Sequence, residues 1–162
     1  MSQLSKKIIK WQRKFGRNDL PWQINTNPYK VWISEIMLQQ TQVKTVIPYF
    51  EKFMNRYPNI ESLADSTEDE VLSYWSGLGY YSRGRNVLKS AKIIKKEFNS
   101  SMPSDSDSLE SLPGIGKSTA GAILSLGFKK QGEILDGNAK RVLVRYFKVE
   151  EVIDSTRTVK KL

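Results

Sequence analysis

The 162-residue chain contains no cysteine and no histidine. Without thiols it can form neither disulfides nor thiolate-bound zinc or iron–sulfur sites, and without imidazole it lacks the commonest general base and metal ligand. No apolar run approaches the roughly 20 residues of a membrane span, and no apolar segment typical of a signal peptide follows the first residues. We therefore expect a cytoplasmic protein with no metal site and no membrane association, whose chemistry depends on carboxylates, lysines, tyrosines or hydroxyls.

Negative charge is in short supply, since 26 Lys and Arg oppose 17 Asp and Glu for a net charge of +9. Such a surplus creates a positive field that attracts polyanions, nucleic acid among them. The alternative is a basic protein kept soluble by its charge, because charge alone does not name a partner. Arg83, Arg85 and Lys89 are expected to form a solvated or phosphate-facing surface.

The chain shows no internal repeat and no convincing pair of strands, whereas apolar residues recur at helical spacing. A basic amphipathic helix is predicted through residues 4–15, a nearly all-apolar and buried helix over 29–40, and a helix over about 82–98. Residues 117–128 and 139–147 predict two further helices. The expected architecture is all-α, a compact single domain of about eight to ten short helices.

The segment LPGIGKSTAG at residues 112–121 predicts a helical hairpin that extends over about 109–127. Gly114 and Gly116 allow the backbone to turn tightly and to approach a partner closely. The first amides of the following helix, together with its dipole, suit a phosphate, and Lys117 adds positive charge. Contacts of this kind position DNA without reading its sequence. The alternative is an ordinary turn between two helices.

Two isolated carboxylates are candidates for chemistry. Glu35 lies in the apolar string VWISEIML, and burial raises a carboxyl pKa into a range that suits a general acid or base. A buried structural ion pair is the alternative. Asp136 lies at a predicted helix start in ILDGNAKRVL, where capping is the alternative. Together they would be the minimum set for breaking a glycosidic bond through an oxocarbenium-like state.

Five strings together resemble the MutY family of adenine DNA glycosylases, which belongs to the helix–hairpin–helix superfamily alongside endonuclease III. They are LPW at 20–22, NPYKVWISEIMLQQTQVKTVIPYFEKF at 27–53, GLGYYSRGRN at 77–86, LPGIGKSTAGAIL at 112–124 and ILDGNAKRVL at 134–143. The resemblance extends over about residues 4–147. It implies the helix–hairpin–helix glycosylase fold, acting as a monomer on double-stranded DNA with adenine opposite 8-oxoguanine or guanine.

The resemblance also implies roles for single residues. Glu35 matches the glutamate that protonates the adenine ring, Asp136 the aspartate that steadies the cationic sugar, and Asn138 an asparagine that helps hold the catalytic site together. Gln40 matches a residue wedged into the base stack, and its neighbour Thr41 is expected to contact DNA as well.

Tyr80 matches a tyrosine inserted beside 8-oxoguanine, with core packing near a glycine turn as the alternative. Together with the hairpin residues Gly114, Gly116, Lys117 and Ser118, it completes the expected DNA-binding set. Ser118 occupies the position at which the lyase members of the superfamily carry a Schiff-base lysine, so the resemblance implies a monofunctional glycosylase.

The sequence departs from the family in lacking four cysteines for a [4Fe–4S] cluster and a separate domain that recognises 8-oxoguanine. We expect a fragment or a truncated product with no cofactor of its own, because the family carries both parts beyond the matched region. The apolar stripe of the first helix should then be exposed and Asp136 loosely held, which predicts weak or absent activity.

Two other functions remain open. One is an endonuclease III-like glycosylase and lyase acting on oxidised pyrimidines, against which Ser118 argues. The other is a helix–hairpin–helix module that binds DNA without catalysis, against which Glu35 and Asp136 argue.

Overall fold

The computed structural model describes residues 3–150, and all regular secondary structure in that range is helical. In chain order the helices are α1 (Gln3–Phe15), α2 (Pro28–Leu38), α3 (Val43–Arg56), α4 (Ile60–Ala64), α5 (Glu68–Trp75), α6 (Ser82–Glu97), α7 (Ser106–Glu110), α8 (Lys117–Ala122) and α9 (Gly137–Phe147). A 3₁₀ turn, Pro21–Gln23, precedes α2, and a π-helical turn, Ile123–Gly127, follows α8 directly. The all-α prediction is confirmed; residues 151–162 of the predicted single domain lie outside the described range.

Helix α2 is the centre of the core. Its start is fixed locally, because the Asn27 side chain accepts the Lys30 N–H at 2.9 Å and Pro28 occupies the first helical position. Seven of its 11 residues are buried, and Trp32 and Ile33 are completely inaccessible. α3, α6, α8 and the π-helical turn all pack against it. The prediction of a buried helix is therefore confirmed.

Helices α3 to α6 form the layer beside α2, with α4 and α5 packed on α6. Phe53 of α3 contacts the rings of Tyr57 and Trp75, with centroid separations of 4.9 and 5.9 Å. Such tilted and edge-on pairs add to the stabilisation that comes from burial itself. α4 escaped prediction from the sequence, although Asn59 caps it by accepting the Ser62 N–H at 2.9 Å.

Helices α1 and α9 behave differently, because neither contains a buried residue. On α1, Trp11 and Phe15 are 60% and 62% exposed, which confirms the expected exposure of its apolar stripe. Within residues 3–150, no helix is long and apolar enough to cross a membrane.

The predicted helix over 117–128 is confirmed as a continuous helical segment to Gly127, but its second half is π-helical rather than α-helical. α8 ends at Ala122, and the chain widens into the π-helical turn, in which the Phe128 N–H donates to the Ile123 carbonyl at 3.1 Å. This turn brings Gly127 against the start of α2, where a Cβ on Gly127 would lie 2.7 Å from the Cα of Pro28. Tertiary packing therefore replaces α-helical with π-helical hydrogen bonding at the end of this helix.

Candidate functional site

Glu35 lies in the second half of α2, partly buried between fully buried neighbours. Burial raises the pKa of its carboxyl above the ordinary value, and the negative charge of Asp136 raises this pKa further. The fold therefore brings together two carboxylates that are far apart in the sequence. A carboxyl in this environment holds its proton to higher pH than a solvated one, as a general acid requires.

Asp136 is exposed and stands immediately before α9, with extended backbone. Its Oδ1 accepts the Ala139 N–H at 2.7 Å, which makes it the N-cap of that helix. Asn138 is exposed in the first turn, where its Oδ1 accepts a hydrogen bond from Arg141. The capping interpretation of Asp136 is thus correct for its position, and it is compatible with a second role beside Glu35.

A pair of glycines places the segment that leads to Asp136. A Cβ on Gly121 would lie 2.0 Å from the carbonyl oxygen of Glu133, and a Cβ on Gly132 would lie 2.3 Å from the carbonyl oxygen of Gly121. Only glycine permits this direct approach of two backbones. The contact fixes residues 131–134 against α8, so Gly132 belongs to the site although sequence reasoning did not select it.

The turn between α7 and α8 holds the hairpin glycines in two different environments. Gly114 has a positive φ of 81°, and a Cβ there would meet the Asn86 side chain at 3.1 Å. Gly116 is the residue before α8, with ordinary extended backbone, and a Cβ there would have no neighbouring atom within 4 Å. Gly114 is therefore required by the turn itself, whereas at Gly116 the fold needs no glycine and the missing side chain leaves the start of α8 open.

A cavity of about 850 Å³ separates the start of α8 from α9 and the segment before it. Gln39, Lys117 and Ser118 line one part of it, and Leu135 and Lys140 line another. Its size falls in the range of small-molecule pockets. Glu35 and Asp136 are not among its lining residues, but Gln39 follows the helix of Glu35 and Leu135 immediately precedes Asp136. Gln39 was not among the predicted residues; its place next to Gln40 in the QQTQ string was the available signal.

Gln40 and Tyr80 share an unusual backbone. Both have φ in the left-handed region, 57° for Gln40 and 50° for Tyr80, which residues other than glycine seldom adopt. Both side chains are exposed, and that of Tyr80 is 59% accessible. The alternative of core packing for Tyr80 is therefore wrong. Two strained loops present their side chains to solvent, as residues that enter a partner would.

The expectation that Arg83 is a surface residue is wrong, whereas Arg85 and Lys89 are exposed as predicted. Arg83 is only 8% accessible, and its guanidinium donates hydrogen bonds to the Gln39 and Gly79 carbonyls of the two strained loops. The sequence held a signal for this burial. Arg83 precedes Val87 by four residues, and positions four apart share a helix face, so it lies on the buried stripe of α6.

The [4Fe–4S] cluster that the family resemblance implies does not fit the residues of this chain. A [4Fe–4S] cluster requires thiolate ligands, and the 162 residues include no cysteine. Among residues 3–150, no three acidic side chains gather in a way that could hold a metal ion.

Known DNA repair proteins resemble this chain in sequence and in fold. The family model of HhH-GPD superfamily base excision DNA repair proteins matches residues 33–162. An adenine DNA glycosylase of Buchnera aphidicola subsp. Baizongia pistaciae (strain Bp) is 62% identical over 142 residues, covering 88% of this chain and 40% of that protein. Its counterpart from Buchnera aphidicola subsp. Acyrthosiphon pisum (strain APS) is 55% identical over 158 residues, covering 98% and 45%.

Among solved structures, that of a thermostable thymine-DNA glycosylase superposes with a TM-score of 0.83 at 27% identity, covering 89% of this chain and 66% of that one. The predicted glycosylase fold and the resemblance to adenine DNA glycosylases are both confirmed. The chain spans less than half the length of the two Buchnera relatives.

Proposed function

Because the chain belongs to the HhH-GPD superfamily of base excision DNA repair proteins, we propose that it carries the base-excising part of an adenine DNA glycosylase. The reaction is hydrolysis of the N-glycosidic bond of adenine opposite 8-oxoguanine or guanine in duplex DNA. One observation supports this most directly. Glu35 and Asp136 lie close enough for the charge of Asp136 to raise the pKa of Glu35, and two such carboxylates are what this bond cleavage needs.

Each acid has one part in the proposed mechanism. Glu35 donates its proton to a ring nitrogen of adenine, so the electron pair of the breaking N–C1′ bond leaves with a neutral base. The carboxylate of Asp136 stabilises the positive charge that develops on the sugar. Water then adds to C1′ and releases a proton. Asn138 orders the first turn of α9 through its contact with Arg141.

The DNA surface combines the hairpin with the two strained loops. Gly116 and Lys117 offer an open backbone and a positive charge to a phosphate, a contact that positions DNA without reading sequence. Gln40 and Tyr80 enter the base stack, where they fill the space left by the flipped adenine. Thr41 lies beside Gln40 on the same loop, and the flipped base occupies the cavity between α8 and α9.

Cleavage of the DNA strand is not part of this proposal. Ser118 lines the cavity, and a hydroxyl cannot form a Schiff base with the sugar. Lys117 and Lys140 line the same cavity, however, and either amine could form the Schiff base that a lyase reaction requires. Borohydride trapping of a covalent adduct with a DNA sugar tests for it, and an adduct would favour the lyase function.

The central experiment measures adenine release from a duplex with adenine opposite 8-oxoguanine, using excess protein in a single turnover. We expect slow release by the 162-residue chain, because α9 buries no residue and a loosely placed Asp136 loses rate steeply. Glu35→Gln and Asp136→Asn should each reduce release by about 10²- to 10⁴-fold. Glu97→Gln, which removes an exposed carboxylate at the end of α6 and away from the cavity, is the control and should release adenine at the wild-type rate.

Three outcomes would change the proposal. Equal release by wild type and Glu35→Gln contradicts the acid role of Glu35. Binding to the duplex without release by any variant favours a DNA-binding module without catalysis. Rapid release by the wild-type chain contradicts the expected loose placement of Asp136.

A further inference from the structure

We propose that Arg83 is a positioning residue, whose buried guanidinium locks the loop that carries Gln40 and the loop that carries Tyr80 into a single DNA-inserting unit. The inference rests on the proposed function, because it assumes that these two side chains enter the base stack. It assigns no catalytic step to Arg83 itself. It states instead that the spacing and direction of the two inserted side chains are set together, by one group.

The Nη1 nitrogen of the guanidinium binds the C-terminal end of α2. Nη1 donates to the carbonyls of Ile36 and Met37 at 3.0 and 2.9 Å, and also to that of Gln39. The last carbonyls of a helix have no partner within the helix and carry its negative dipole end. A buried cation at this point satisfies them and holds the peptide that leads directly into Gln40.

The Nη2 nitrogen of the guanidinium binds the turn before α6. Nη2 donates to the carbonyls of Leu78 and Gly79 at 3.4 and 3.2 Å, and to Thr41 Oγ1 at 3.1 Å. The indole N–H of Trp75 also donates to the Gly79 carbonyl, at 3.3 Å. That carbonyl belongs to the peptide that leads directly into Tyr80, so Arg83 holds equivalent peptides in the two loops.

The two held peptides precede the two strained residues. Gln40 and Tyr80 both have left-handed backbone, which persists only where the surroundings impose it. Arg83 supplies that constraint at both places, and its Cζ lies 5.3 Å from the centroid of the Tyr80 ring. The ring therefore rests near the guanidinium while most of it faces solvent, ready to stack on a base.

Arginine is required here for geometric reasons. A guanidinium is a rigid planar fork with five donors, and it can reach acceptors on two sides at once. A lysine ammonium keeps the positive charge but is a compact point charge, so it can hydrogen-bond to one of the two loops but not to both. Arg83→Lys therefore removes the hydrogen-bonded link between the two loops while it retains the positive charge.

The experiment uses the full chain and a duplex with 2-aminopurine opposite guanine, whose emission rises when the base leaves the stack. For wild type we expect a rise with this duplex. Arg83→Lys should lose most of this rise in 2-aminopurine emission and should bind the mispaired duplex roughly tenfold more weakly. The reason is that lysine can form hydrogen bonds to one loop only. Its affinity for a fully paired duplex should be unchanged. Arg85→Lys is the matched control, because Arg85 is exposed on the same helix and pairs with Glu68.

A double-mutant cycle distinguishes positioning from general destabilisation. If Arg83 acts through the two loops, Arg83→Lys should cost little further affinity in a background that already carries Gln40→Ala and Tyr80→Ala. An equal loss in both backgrounds, or an equal loss on paired and mispaired duplexes, overturns the inference. A rise retained in full by Arg83→Lys also overturns it. Absence of any rise with wild type overturns the proposed insertion of Gln40 and Tyr80 and this inference with it.

A milder variant covers the case in which Arg83→Lys does not fold, as judged by circular dichroism. Thr41→Val removes a single acceptor of the guanidinium at the edge of the contact. Because Thr41 belongs to the proposed DNA surface, the emission is compared at saturating protein, where a reduced rise supports the inference. An unchanged rise overturns it.

Discussion

The two acids of the candidate site stand on supports of very different kinds. Glu35 belongs to α2, most of whose residues are buried among five packed elements. Asp136 caps α9, which buries no residue and is placed by this side-chain cap and by the contact between Gly121 and Gly132. The difference teaches that one half of the site is built into the core, whereas the other is attached to its edge by a few local contacts.

The largest expected contrast between core and edge concerns stability. Phe53→Ala removes a fully buried ring and should lower the free energy of unfolding by about 3–5 kcal/mol, because it leaves a cavity. Phe147→Ala on α9 removes a ring that is 56% exposed, and it should cost less than about 1 kcal/mol. Urea unfolding followed by circular dichroism measures both. Equal costs would contradict the division into core and edge.

A smaller effect is expected at the contact that attaches the edge. Gly121→Ala places a methyl group 2.0 Å from the Glu133 carbonyl oxygen, so the segment before Asp136 must move. We expect a loss of about 1–3 kcal/mol in unfolding free energy, as for other overpacked sites, together with a loss of adenine release.

The control for that substitution is Gly116→Ala, where nothing lies within 4 Å of the added Cβ. It should unfold like wild type and weaken only DNA binding. Wild-type adenine release by Gly121→Ala would show that the contact does not place Asp136.

The smallest expected effect concerns the electrostatic link between the two regions. The raised pKa of Glu35 has burial as its larger cause and Asp136 as its smaller one. Asp136→Asn should therefore lower this pKa but leave it above that of a solvated glutamate. A ¹³C NMR titration of the Glu35 carboxyl measures it, with Glu133→Gln as the control that should cause no change. An unchanged pKa in Asp136→Asn would mean that the two regions are not coupled.

The sign of the pH dependence follows from the same shift. A carboxyl whose folded pKa is raised stabilises the fold at pH values below its unfolded pKa, and this contribution is lost as pH rises through the folded pKa. Adenine release should fall over the same upper range, because Glu35 loses the proton that it donates. In Asp136→Asn, the loss of stability should move to lower pH.

Much of the fold was predictable because its signals are local. The apolar run of α2, its start at Asn27 and Pro28, and the cap at Asp136 depend on neighbours within one helical turn. The π-helical turn after Ala122 was not predictable, since it depends on the approach of Gly127 to the start of α2. Arg83 was misjudged from its residue type, although its spacing from Val87 indicated the buried face.

The sequence by itself determined the all-α class, the hairpin motif and the family resemblance, and it singled out Glu35 and Asp136 as candidate acids, because each follows from residue types at short spacings. Only the tertiary structure decided that Glu35 and Asp136 share one electrostatic environment, that Gly121 and Gly132 place the segment before α9, and that Arg83 joins the loops of Gln40 and Tyr80. These relations join residues that are distant along the chain, and packing of the helices fixes their separation in space.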